Sequence, residues 1–196
     1  MSKRQVKIVF DIYENSFEKV VEVDNLMTYE DILRAYGQDI KSQVVITKVN
    51  NHLVELSEKV DPACKEVIFL DTSDVDGNRV YMRSLSYLFI TATNEVLNNK
   101  SVVIEHTISE GLYCTIKQGD KRYNIDTNLK NAIKNKMADL VSKKLKIEKI
   151  EFKVKDAIDL FERQKRYDKV NLLKYRQKIN ISLYKLGDYY DYFYVH

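Results

Sequence analysis

The sequence has no tryptophan, one proline (Pro62), five glycines, three histidines and two cysteines in 196 residues. So little proline and glycine leaves no room for a long flexible linker. Cys64 and Cys114 lie far apart and form no CxxC pair, so they read as reduced thiols. Cys114 has no histidine close by in sequence to activate it, which favours an inert buried thiol over a nucleophile. His52, His106 and His196 add no metal-ligand spacing, so neither a metal nor a cofactor is expected. No apolar run approaches the ~18 residues that span a bilayer. Met1–Gln5 leads into a short alternating segment rather than a signal-peptide core. The reading is of a cytoplasmic chain with no membrane partner. The phosphate-cradling pattern G-x-x-x-x-G-K-[ST] is also missing.

What is present is an ordinary globular balance, 44% apolar and 31% charged. The formal net charge of +3 hides a split. Residues 1–79 hold 10 basic and 15 acidic side chains, and the remainder holds 22 and 14. This asymmetry suggests two domains and places any polyanion partner on the C-terminal half.

Hydrophobic periodicity supplies the elements. Val6, Ile8, Phe10 and Ile12 alternate as a half-buried strand, and Phe17, Val21 and Val23 continue across a polar turn at 14–16 as a hairpin. Thr28-Tyr29-Glu30-Asp31 resembles a capping box, and Ile32, Leu33, Ala35 and Tyr36 form the apolar face of a short helix. Gly37 is expected at C′ with positive φ. Strands follow at 44–49, 53–56 and 66–70, the first two joined by a tight Asn50-Asn51 turn. The polar stretch 71–78 is the boundary candidate, and it lacks the closing glutamate of a calcium loop. A helix over 80–97 ends at Asn98-Asn99. Strands at 102–105 and 112–116 follow, then a turn at 117–120 and a returning strand at 122–125. Asp126 or Thr127 caps a helix carrying Leu129, Ile133, Met137, Leu140 and Val141. A strand over 147–154, a helix over 155–164, one short turn at 170–173 and a strand over 179–186 complete the order. The fold class is α+β, with domains at 1–72 and 79–196.

The strand order of the first 70 residues, with Ile46-Thr47-Lys48-Val49-Asn50-Asn51-His52-Leu53-Val54-Glu55-Leu56, is similar to the ubiquitin-like β-grasp of the TGS domain. Further on, Arg83-Ser84-Leu85-Ser86-Tyr87-Leu88-Phe89 resembles a helix that begins His-Ser-Gly-Ala-His-Leu-Leu. Ser109-Glu110-Gly111-Leu112-Tyr113-Cys114-Thr115-Ile116 resembles Glu-x-Gly-Phe-Tyr-Tyr-Asp-Phe, and Asp156-Ala157, Phe161, Tyr167-x-Lys169 and Ile181-Ser182-Leu183-Tyr184 with Gly187 and Asp191 keep the order. These are motifs of the editing domains of threonyl- and alanyl-tRNA synthetases. The resemblance implies an editing-like α+β domain without its metal ligands. Arg83 and Tyr87 stand where the family has two histidines, the family cysteine falls near Phe193, and His196 does not fit the register. A guanidinium has no lone pair for zinc. The chain stops early within this domain, as a fragment or as a truncated relative.

The two domains together, with Tyr81-x-Arg83-Ser84-Leu85 and Glu105-His106 ahead of Gly111-Leu112-Tyr113-Cys114, are similar to the N-terminal region of bacterial uridine kinase-like nucleoside kinases. That resemblance implies a non-catalytic binding or regulatory module serving a kinase domain in cis in a longer parent. The alternative is a tRNA- or RNA-binding protein derived from synthetase domains.

The candidate ligand-binding residues are Arg83, Tyr87, His106 and Tyr113, for a phosphate, a carboxylate or a nucleotide. Arg83 and Tyr87 lie four apart on one helix face, and a salt bridge filling the abandoned pocket is the competing reading. An ordinary strand-end hydrogen bond competes for His106. Lys143, Lys144, Lys146, Lys149, Arg163, Lys165 and Arg166 form a basic region suited to an RNA backbone. Interleaved Glu148, Glu151 and Glu162 suit a merely solvated face. Tyr189, Tyr190, Tyr192, Phe193 and Tyr194 suit base stacking, or packing against the rest of the domain.

Overall fold

The computed structural model describes residues 3–13, 16–97, 101–108, 111–118 and 121–192. The turns expected at Glu14-Asn15 and Gly119-Asp120, the helix end at Asn98-Asn99, Ser109-Glu110, and Phe193, Tyr194 and His196 lie outside the described residues. The chain is α+β and divides into two compact units, Met1–Leu85 and Ser86–His196.

In unit 1, β1 (Lys3–Asp11) pairs antiparallel with β2 (Phe17–Asp24) and parallel with β5 (Glu66–Leu70). β3 (Ile46–Val49) lies beyond β5 and β4 (His52–Val54) forms the far edge, so the sheet order is β2-β1-β5-β3-β4. The period-2 pattern does what it encodes, with Val6, Ile8 and Phe10 at 0% exposure on one face. Phe10 stacks on Phe17 and Phe69 with centroids 4.7 and 4.8 Å away. Tyr29 and Ile32 of α1 (Tyr29–Tyr36) close this core.

The capping box is formed. Thr28 Oγ1 accepts from Asp31 N–H at 3.1 Å, and Asp31 Oδ2 accepts from Thr28 N–H at 2.9 Å. That bond holds the Asp31 carboxyl below its ordinary range. Gly37 ends the helix, but at φ −104°, not in the left-handed region. Glycine suits this position for space, since a Cβ would sit 2.7 Å from the Leu33 carbonyl oxygen. Asn50 and Asn51, at φ 48° and 65°, make the two-residue turn between β3 and β4.

α2 (Val75–Leu97) starts five residues before the periodicity indicates. Asp74 Oδ1 accepts from Asp76 N–H at 2.8 Å and Gly77 N–H at 3.1 Å, the donors that a helix start leaves open. The stretch 71–78, the boundary candidate, is therefore partly a helix cap and first turn. The unit boundary falls inside α2 rather than in that stretch.

In unit 2, β6 (Ser101–Ile108), β7 (Gly111–Gln118) and β8 (Lys121–Arg122) form one antiparallel sheet. The returning strand begins one residue earlier and is shorter than expected: it holds Lys121 and Arg122, so of 122–125 only Arg122 pairs back in register. α3 (Thr127–Ser142) is capped by Asp126, whose carboxylate accepts from Leu129 N–H at 2.7 Å. Ile133 and Leu140 bury with Ala92 and Ile116. β9 (Glu148–Lys153), β10 (Asn180–Leu186) and β11 (Tyr189–Asp191) form the second sheet, in the order β11-β10-β9. α4 (Val154–Arg163) and α5 (Tyr167–Lys174) bury Ala157, Phe161, Val170 and Leu173 with Ile181 and Leu183. The single turn expected at 170–173 is a full two-turn helix, and β11 has no counterpart among the expected strands. Among the described residues no helix is long and apolar enough to cross a membrane.

Candidate functional site

Tyr87 lies on α2 at a position where the resembled family has a metal ligand, and its ring is buried to 1% exposure. Its hydroxyl is 2.7 Å from the Tyr184 carbonyl oxygen and 2.9 Å from that of Tyr189, so the two acceptors share one proton. These carbonyls belong to β10 and β11, so the phenol ties α2 to both strands of the hairpin. Gly187, at φ +61°, turns that hairpin. The Tyr189 ring lies 6.0 Å from that of Tyr87. Burial, reinforced by the nearby Asp191 carboxylate, pushes both phenols well above the ordinary tyrosine range. Tyr87 is thus interior packing and not an accessible ligand-binding side chain. Arg83 is exposed.

Asp191, with its side chain 3% exposed, is the centre of a second cluster. Arg166 sends one guanidinium nitrogen to both of its oxygens at 3.2 Å, and Lys169 reaches it at 3.1 Å. Its own neighbour Tyr192 donates N–H at 2.7 Å. The other Arg166 nitrogen donates to the Tyr189 hydroxyl at 2.5 Å and the Tyr190 carbonyl at 3.3 Å. Burial is the largest single influence on the Arg166 charge and opposes it, but Asp191, Tyr189 and Asp168 together keep the guanidinium pKa raised. Placing Arg166 in the solvent-facing basic region is therefore corrected. Its side chain is only 17% exposed and covers the outer edge of β11, where an unpaired carbonyl would otherwise lie open. Nothing local in the sequence marks this role, because the partner carboxylate lies 25 residues on.

His106 and Tyr113 do come together. They are cross-strand partners on β6 and β7, with ring centroids 5.2 Å apart and both side chains exposed. A register shift between Ile104 and His106 makes Glu105 the extra residue of a bulge. Thr115 Oγ1 donates to Glu105 at 2.7 Å, and this bond, with Lys117 at 3.7 Å, holds the Glu105 carboxyl below its usual range. Burial pushes the Cys114 thiol up, which disfavours the thiolate.

Lys143, Lys144, Lys146, Lys149, Arg163 and Lys165 are all exposed. Lys143 follows α3 and pairs with Asp139 at 2.8 Å. Lys144 and Lys165, at φ 51° and 57°, are the left-handed residues just past α3 and α4. Cations there complement the negative helix ends. Val141, Leu145 and Ile147 are exposed among these lysines, at 60%, 42% and 37%. Apolar residues within a lysine run are the sequence signal for that mixture, and a reading by charge alone passes over it. Among the described residues no three His, Cys, Asp or Glu side chains gather as a ligand set.

No protein-family model matches the chain. It is similar to the N-terminal region of curated threonine–tRNA ligases. Identity to the Clostridium acetobutylicum protein is 26% over 175 residues, 88% of this chain and 27% of that protein. It is 24% for Finegoldia magna, covering 87% of this chain and 26% of that one. The Sulfurihydrogenibium protein is 27% identical, with 84% and 26% covered. The chain thus spans about a quarter of the length of the curated relatives it matches.

Proposed function

We propose that this chain is a non-catalytic tRNA-binding module, related to the N-terminal region of threonine–tRNA ligases, whose exposed lysines take the RNA backbone. The observation that carries this reading is similarity over 88% of the chain, a length that requires both units, to enzymes named for acting on tRNA. The exposed Lys143, Lys144, Lys146 and Lys149 with Arg163 and Lys165 supply the electrostatics. The unit 1 strand order with the capped helix α1 supports a TGS-like β-grasp there. Editing chemistry is left out of the reading because Arg83 and Tyr87 occupy the imidazole positions and the Tyr87 hydroxyl is committed to two carbonyls. The nucleoside-kinase side of the resemblance rests on sequence motifs alone.

The test is filter binding of unmodified tRNA at 50 and 200 mM salt. Binding at low salt that weakens steeply with salt is expected. Replacing Lys143, Lys144, Lys146 and Lys149 by Gln should reduce the salt slope by about 0.7–0.9 for each phosphate no longer neutralised. Absence of binding at 50 mM salt removes the proposal. Hydrolysis of mischarged tRNA by the purified chain would remove its non-catalytic part.

A further inference from the structure

Unit 1 carries a cleft of about 590 Å³, within the roughly 300–1,000 Å³ usual for small-ligand sites. Two tyrosines line it, Tyr13 at 82% exposure and Tyr81 at 43%. Its floor is organised by Asp71, 3% exposed. One Asp71 oxygen accepts from Ser73 N–H at 2.8 Å and from Ser73 Oγ at 2.5 Å. The other accepts from Tyr13 N–H at 3.3 Å, and the Ser42 hydroxyl also bonds the carboxylate. One buried group therefore fixes three segments around the cleft: the chain leaving β1, the loop before β3 and the loop after β5.

The same bonds narrow the ligand. A carboxylate offers about four lone-pair sites, and four protein donors already use them. Asp71 is thus poorly placed to accept from the vicinal hydroxyls of a sugar. Among the described lining residues there is no lysine or arginine, so nothing here compensates a phosphate or a carboxylate. What the cleft does offer is flat aromatic surface and the amides of Gln43 and Asn78, each pairing a donor with an acceptor. Aromatic faces stack any base, and amides match base edges.

We infer that this cleft binds one unpaired nucleobase with its ribose, stacked on Tyr13 and Tyr81, with the phosphates left outside in solvent. The inference deepens the RNA reading and rests on it for the source of the base.

The experiment titrates the isotope-labelled full chain with adenosine, cytidine, guanosine and uridine, and with glucose as the carbohydrate comparison, following amide resonances. Nucleosides should move the signals of residues 42–45, 71–73 and 78–81, and glucose should not. Tyr13→Ala and Tyr81→Ala should each weaken nucleoside binding on the order of tenfold, with the circular dichroism spectrum retained because both side chains are exposed. Unmoved signals, tyrosine variants that bind like the parent, or glucose acting in place of nucleosides would each overturn the site. If tRNA fails to bind while nucleosides still move the cleft signals, the site stands and the tRNA reading falls. If tRNA binding tracks the lysines while the cleft signals stay still, the tRNA reading stands and the site falls.

Discussion

Single side chains do more of the joining here than composition suggests. Tyr87 holds two backbone carbonyls with one hydroxyl, so Tyr87→Phe should cost about 1–2 kcal/mol at neutral pH, through acceptors left under-satisfied in a buried place. Its pH dependence has a definite sign. The folded pKa is raised above the ordinary value near 10, so this contribution is complete below that value and is lost as pH climbs past it. Denaturant melts of parent and variant across the alkaline range should show a shallower alkaline loss in the variant. One turn along the same helix, Thr91 is 0% exposed and its hydroxyl meets no hydrogen-bond partner among the described residues. Thr91→Val keeps the shape and removes the stranded hydroxyl, so it should raise stability by about 1 kcal/mol, measured in the same melts. Loss of stability in that variant would mean that the hydroxyl has a partner.

Elements built from local signals are the legible ones. The Thr28–Asp31 box, the Asp126 cap and the alternation of Val6, Ile8 and Phe10 are short-range patterns, and each fixes an element without help from far away. The start of α2 is also written locally, in Asp74 and the acidic Asp76 behind it, but turn-rich composition masks it. β11 is different in kind. Three residues have too little pattern to read, and this strand depends on Tyr87 from α2 and on Arg166 from the start of α5. The same remoteness moves Arg166 out of the basic surface and Tyr87 out of the ligand-binding set, whereas His106 and Tyr113, a cross-strand pair, do meet. Arg166→Met should therefore cost about 3 kcal/mol, since it breaks a buried pair and leaves Asp191 with Lys169 and the Tyr192 N–H. Amide exchange should rise first in 189–192. Exchange rising equally across both sheets would argue against an edge-covering role. Gly77 is the matching constraint at the other end of α2. A Cβ there would lie 1.9 Å from the Asp71 carbonyl oxygen, so Gly77→Ala should destabilise unit 1 despite the better helix propensity of alanine.

For the molecule as a whole, the question is whether its charge acts as a sum or as a place. A net charge of +3 is too small to explain firm RNA binding by itself. Unit 1 is acidic overall, and the exposed lysines at 143, 144, 146 and 149 sit in the basic unit. Two quadruple variants separate the alternatives, because each lowers the net charge by the same amount. One replaces Lys143, Lys144, Lys146 and Lys149 by Gln. The other replaces Lys3, Lys41, Lys59 and Lys65, all exposed in unit 1. If the binding is local, the first variant has lower affinity for tRNA and a flatter logarithmic salt dependence, by up to about 3.6 in slope for four phosphates. The second keeps both slope and affinity. Equal weakening in the two variants would mean that tRNA answers only to the overall field, and the lysine surface would then have no claim as a binding site. The exposed Val141, Leu145 and Ile147 sharpen the expectation. Apolar side chains between cations gain nothing from a distant field but gain from being covered, so their replacement by Ser should weaken tRNA binding without altering its salt slope.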